Sequence, residues 1–141
     1  MRNETFDALF QAAQKARAHS YAPISNFNVG AAFLTATRKI YAGTNVEEAA
    51  FNSSIHAEQG AIAQMVAAEG RARITHLVVI GGKPGDGMAC IPCGHCRQLL
   101  VEFAGDDLEI AAAGPDGDIR LETTLGELLP HAFRLSNILD H

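Results

Sequence analysis

Two short segments, His56-Ala57-Glu58 and Pro92-Cys93-Gly94-His95-Cys96, constrain this chain of 141 residues more than anything else in it. One imidazole and two thiols form a ligand set for Zn²⁺, which takes nitrogen and sulfur donors in tetrahedral geometry. Any fold that uses them must bring the two segments face to face. Two thiolates offset the metal's double charge, and three protein ligands leave a fourth position for water. That is the pattern of hydrolytic rather than structural zinc. Water on such a metal can ionise at a pKa of about 7. Glu58, two residues past the histidine, is then placed to take the water's proton and hand it on.

Blander readings exist for each part. An isolated C-x-x-C pair can be a redox couple, and His-Ala-Glu alone is a weak signal. A closed structural site needs a fourth ligand, for which Cys90 and His95 are the candidates. His95 would have to fold back from inside the C-x-x-C turn, and Cys90 reads better as a small buried apolar residue. Glu58 separates the cases, because a structural site has no use for a carboxylate that is not a ligand. Pro92 suits the first position of a helix, where its missing N–H costs nothing. Cys93 and Cys96 would then lie in the first turn, where the helix dipole favours thiolate.

The rest of the chain predicts an α/β domain. Phe6, Leu9, Phe10, Ala13 and Ala16 recur at helical spacing over about 4–19. Segments 27–35 and 39–46 read as a hairpin. A helix over 56–69 carries Ala61, Ile62, Met65 and Val66 on one stripe and stops at Gly70. Leu77-Val78-Val79-Ile80 has the continuous apolar character of a buried central strand. Residues 81–87 form a glycine-rich, flexible-looking loop that lacks the order of a phosphate-binding loop. A helix follows over about 93–104. Strands 107–113 and 118–122 flank the turn Pro115-Asp116-Gly117-Asp118 and are therefore antiparallel. Thr124-x-x-Glu127 opens a short last helix that Pro130 ends. The expected architecture is a three-layer α/β/α sandwich around a mixed five-stranded sheet, one domain over 1–141.

Composition narrows the partners. A net charge of −5 offers no basic track for nucleic acid. No apolar run approaches the roughly 20 residues of a membrane span. The polar start Met1-Arg2-Asn3-Glu4-Thr5 does not look like a signal peptide. Three cysteines, two of them suited to metal, fit a reducing cytoplasm.

From Tyr21 to Phe133 the chain resembles the short, single-domain cytidine deaminases. The matching segments are Ser25-Asn26-Phe27-Asn28-Val29-Gly30-Ala31-Ala32, Asn45-Val46-Glu47, His56-Ala57-Glu58, Pro92-Cys93-Gly94-His95-Cys96-Arg97-Gln98 and Glu127-Leu128-Leu129-Pro130, in family order. The H-x-E…P-C-x-x-C pairing is also the signature of zinc nucleobase deaminases. The resemblance implies that His56, Cys93 and Cys96 hold one zinc and that Glu58 is the general acid and base. It implies that Phe27 lines a nucleoside pocket and that Asn45 and Glu47 bind ribose hydroxyls, chiefly the 3′ one. Ala57 would offer its backbone to the pyrimidine. Phe133 would stack on the base in a neighbouring subunit of a homotetramer whose sites lie at subunit contacts.

Two departures from the commonest short form fit each other. That form has Cys-Ala-Glu-Arg where this chain has His56-Ala57-Glu58-Gln59. A third thiolate calls for a nearby cation, whereas the neutral His56 lets Gln59 be uncharged. Arg97, directly after Cys96, is expected to hydrogen-bond near the thiolates. Phe51 stands where tyrosine is frequent. The expected reaction is hydrolysis of the C4 amine of cytidine and 2′-deoxycytidine in pyrimidine salvage. The alternatives are an aminopyrimidine nucleoside antibiotic of the blasticidin S type as substrate, or a zinc-stabilised interaction protein without turnover.

Overall fold

The structure is a computed structural model that describes residues 3–50 and 52–139. Met1, Arg2 and Phe51, on which parts of the sequence reading fall, lie outside the described residues. The elements run α1 (Glu4–Arg17), β1 (Gly30–Thr35), β2 (Ile40–Thr44), α2 (Ala57–Glu69), β3 (Ile74–Ile80), α3 (Gly94–Leu100), β4 (Glu109–Ala113), β5 (Ile119–Thr124), α4 (Leu125–Leu128) and α5 (Ser136–Leu139). The sheet order is β2-β1-β3-β4-β5. Among the described strands β3 and β4 alone pair in parallel, and the last hairpin is antiparallel as expected.

Helices cover both faces of the sheet because its central strands are apolar on both. Val78 and Ile80 pack with Phe6, Leu9 and Ala13 of α1, while Leu77 and Val79 pack with Ala61, Ile62 and Met65 of α2 and Leu100 of α3. That alternation is the period of two along a strand. The side chain of Asn3 starts α1 by accepting the Phe6 N–H at 3.0 Å. Phe10 is only half-buried and stacks on Phe6 with ring centroids 5.8 Å apart.

Two glycines set how closely the helices approach. A Cβ on Gly30 would lie 2.1 Å from the Ala13 carbonyl oxygen of α1. One on Gly43 would lie 2.4 Å from the Ala57 oxygen and 2.5 Å from the Ala61 nitrogen of α2. The start of α2, and with it His56 and Glu58, is therefore pressed onto β2 through a gap only glycine can leave.

Register then gathers the functional segments. Gly30 pairs with Thr44 on one side and Ile80 on the other. The chain before β1, the chain after β2 and the chain after β3 all emerge at this one end of the sheet. The strands stop short of the expected 27–35 and 39–46 because the backbone changes partners there. Val46 and Ile55 exchange hydrogen bonds of 2.9 and 2.8 Å, and the Glu47 N–H reaches the Tyr21 carbonyl at 2.9 Å. This local pairing seats 45–47 directly beside the approach to α2.

Other boundaries differ for identifiable reasons. Cys93 caps α3, so Pro92 precedes the helix instead of opening it. That helix ends at Leu100, not near 104, and the Phe103 carbonyl instead receives the Ile74 N–H at 2.8 Å where β3 begins. On α2 the buried face is Ala57, Glu58, Ala61, Ile62 and Met65, and Val66 is 46% exposed. Gly70 ends that helix with φ 74°, as its sequence position suggested.

The glycine-rich loop over 81–87 is clamped rather than loose. Arg120 of β5, its side chain only 3% exposed, pairs with Asp86 and Asp118. It also donates to the Lys83 carbonyl at 2.8 Å and the Met88 carbonyl at 2.9 Å. Asp86 in turn accepts the N–H groups of Lys83 and Met88. Those two bonds, and then Arg120, hold its carboxyl below the usual range.

Replacing Gly43 by alanine forces α2 away from β2. We expect Gly43→Ala to cost about 1–3 kcal/mol, as overpacking of tight contacts does, seen as a lower midpoint in urea unfolding; an unchanged midpoint would show that the gap is not needed.

Candidate metal centre and its cavity

Two helix starts build the centre. His56 caps α2 and Cys93 caps α3, with Cys96 one turn into α3. His56 Nδ1 lies 3.3 Å from Cys96 Sγ and 3.3 Å from Cys93 Sγ. All three donor atoms fall within 4.8 Å of one another. Zinc–nitrogen and zinc–sulfur bonds of about 2.0 and 2.3 Å in a tetrahedron give nitrogen–sulfur edges of roughly 3.5 Å. The donor set fits that metal. Among the described residues neither Cys90 nor His95 belongs to this set.

The electrostatics ask for a cation. Burial, then the charges of Glu58 and Cys93, pushes the Cys96 thiol far up. A Cys96 thiolate beside the Glu58 carboxyl therefore calls for a positive ion. Glu58 itself is 5% exposed at the second position of α2. Burial raises its pKa, partly offset by hydrogen bonds from its own backbone and from Cys96. A carboxyl whose proton affinity is raised by burial suits a group that both accepts and donates a proton.

A cavity of about 230 Å³ opens onto the donors and is lined by Val29, Asn45, Glu47, Ala57, Glu58 and Cys90, with Ile91 and Ser54 among its other walls. Cys90 is half-buried, and burial with the nearby Glu58 charge pushes its thiol up to about 11. It is thus a neutral wall residue at ordinary pH. Phe27 stands outside the lining set, its ring edge toward Gly81 beside Cys90.

Asn45 and Glu47 are held by groups that the sequence reading did not single out. Asn45 Oδ1 accepts from Ser20 Oγ at 2.6 Å and Val29 N at 3.0 Å, and its Nδ2 donates to the Phe27 carbonyl at 2.8 Å. One amide hydrogen of Asn45 remains for another acceptor. Glu47 Oε1 accepts the N–H groups of Ile24 and Ser25, both at 3.0 Å, and Oε2 accepts the Ser25 hydroxyl. These bonds lower its pKa, and Oε2 keeps acceptor capacity toward the cavity.

The residues behind the ligands also have definite partners. Gln59 Oε1 accepts the His56 N–H at 2.7 Å, and its Nε2 meets His95 Nε2 at 3.0 Å. His95 thus supports a ligand's neighbour instead of the metal. Arg97 donates from Nε to the Pro92 carbonyl at 2.7 Å and from Nη1 to the Leu128 carbonyl at 3.0 Å. Its contact is with the backbone leading into Cys93. Phe133 is 58% exposed and does not line the cavity of its own chain.

This fold and centre have known counterparts. The model of the cytidine and deoxycytidylate deaminase zinc-binding region matches residues 3–112. A cytidine deaminase of Sporosarcina psychrophila is 36% identical over 127 residues, covering 90% of this chain and 90% of that protein. One from Halalkalibacterium halodurans is 33% identical over 132 residues, covering 94% and 96%. The crystal structure of a cytidine deaminase from Burkholderia pseudomallei superposes with a TM-score of 0.80 at 39% identity, over 90% of this chain and 98% of that one. The chain therefore belongs to the zinc-dependent cytidine and deoxycytidylate deaminase family.

Gln59→Leu removes the acceptor that fixes His56. We expect zinc to leave about ten-fold faster into a chelator, in keeping with the effect of outer-shell partners; an unchanged release rate would show that the bond to His56 does not support the metal.

Proposed function

We propose that this chain hydrolyses cytidine and 2′-deoxycytidine to uridine and 2′-deoxyuridine with release of ammonia, a step of pyrimidine salvage. The observation that carries the reading is Glu58, a buried carboxyl beside the three metal donors, facing the cavity without belonging to the ligand set. When bound, zinc supplies the Lewis acidity that makes water nucleophilic at neutral pH. Glu58 accepts one proton of the attacking water and delivers it to the pyrimidine ring nitrogen, then takes the proton of the new C4 hydroxyl and delivers it to the departing amine. The water oxygen replaces nitrogen at C4, and ammonia leaves.

The remaining wall suits a nucleoside. Ala57 opens α2, where a backbone N–H has no intrahelical acceptor, and it lines the cavity. Its N–H can hold a pyrimidine oxygen. The spare Asn45 amide hydrogen and the spare Glu47 oxygen form a donor–acceptor pair for the ribose 3′-hydroxyl. Phe27 acts from behind this wall, next to Cys90. Relatives named as cytidine deaminases favour the plain nucleoside over an antibiotic. A non-catalytic zinc module gives Glu58 no task.

Phe133, exposed on its own chain, serves the cavity of a second copy by stacking on the base, in a homotetramer with sites at subunit contacts. Leu135 and Ile138, also exposed on the same terminal stretch, supply apolar surface for that contact. The catalytic unit is a single domain over 1–141 and works in the cytoplasm; no helix of the described residues is long and apolar enough to cross a membrane.

The test follows the loss of cytidine ultraviolet absorbance. Glu58→Gln is expected to keep its zinc and lower kcat by about 10²–10⁴. Near-normal turnover by that variant would rule out the proton-transfer role. Phe133→Ala is expected to raise KM and leave zinc content unchanged; a variant equal to wild type in KM and assembly would remove the neighbour-stacking role.

A further inference from the structure

The two residues that follow the last metal ligand both reach for the C-terminal stretch. Arg97 bridges the Pro92 and Leu128 carbonyls, and Gln98 Nε2 donates to the Phe133 carbonyl at 2.7 Å. Between those two anchored carbonyls the chain turns at Pro130 and passes His131 with φ 55°. A residue with a side chain is uncommon in that left-handed region. Residues 129–135 carry no helix or strand to hold one there. Ala132 packs inward against the core while Phe133 turns out. Farther along, Arg134 ties back to Asp106 at 2.8 Å. The bond from Gln98 is the one made at Phe133 itself.

We infer that Gln98 is a positioning residue for the reaction: it fixes the Phe133 ring relative to the zinc helix, so that the metal geometry of one subunit is carried into the aromatic it lends to the next. This rests on the reading of Phe133 given above. Cys96 and Gln98 are two positions apart on α3, so any shift of the ligand moves the anchor with it. Arg97 supplies the second link, from the backbone before Cys93 to the end of α4. Hydrogen bonds from Arg97 and Gln98 thus join the helix that follows Cys93 and carries Cys96 to the terminal stretch.

A double-mutant cycle tests it. Gln98→Met keeps the length of the side chain and removes the donor. It is expected to raise KM for cytidine about five-fold, the weight of one hydrogen bond, with kcat and zinc content unchanged. Amide hydrogen exchange over 131–135 should quicken in the same variant. Gln98→Lys restores a donor and should recover most of the KM. Combined with Phe133→Ala, Gln98→Met should add nothing further, because the two act on one contact. The inference is overturned if Gln98→Met leaves KM unchanged while Phe133→Ala raises it, or if the two effects multiply. If Phe133→Ala itself has no effect, the stacking role falls first and takes the catalytic purpose of the Gln98 bond with it.

Discussion

Three donor atoms within 4.8 Å of one another, two on one helix start and one on another, are the contact around which this molecule is arranged. Burial and the Glu58 charge push the Cys96 thiol up, so that ligand takes its thiolate form with a cation beside it. Metal binding and the relative position of α2 and α3 are therefore one event. The sheet register delivers the other walls to the same end, since Gly30, Thr44 and Ile80 lie side by side. Gly43 lets α2 close onto β2 so that His56 arrives at the right depth.

Around that contact, short-range polar ties do the aiming. Along α3 the side chains take turns: Cys93 and Cys96 face the metal, His95 meets Gln59, Arg97 holds the backbone before Cys93, and Gln98 holds Phe133. Asn45 and Glu47 are fixed by Ser20, Ser25 and local N–H groups, yet each retains one free valence toward the cavity. Arg120 keeps the chain between β3 and Cys90 in place from the opposite edge of the sheet. A site on loops gains the precision of one on helices when its loops are tied this densely.

Much of this was legible in the sequence, for physical reasons that differ by element. The metal ligands were readable because zinc accepts few donor types and fixes their number. The apolar run from Leu77 to Ile80 was readable because a strand covered on both faces has no polar side to show. Gly70 was readable as a stop because a left-handed residue there favours glycine. What escaped was pairing at a distance. Nothing at Arg120 says that Asp86 will be its partner, and Asp116 and Asp118 beside it read only as turn residues. The serines behind Asn45 and Glu47 look like ordinary loop residues. Pro92 was assigned two positions too far into α3, because the first helical position and the residue before the cap both tolerate a missing N–H. Val66 was drawn into the apolar stripe of α2, whereas the buried face turns toward Glu58, a charged residue that periodicity cannot place inside.

The central claim is that His56, Cys93 and Cys96 alone hold the metal, leaving one position open beside Glu58. X-ray absorption at the zinc edge of the metal-loaded protein tests it most directly. The account predicts one zinc per chain with two sulfur ligands near 2.3 Å, one imidazole, and one further light atom that changes when a nucleoside inhibitor binds. A third sulfur from Cys90, or a second imidazole from His95, would close the site and contradict it.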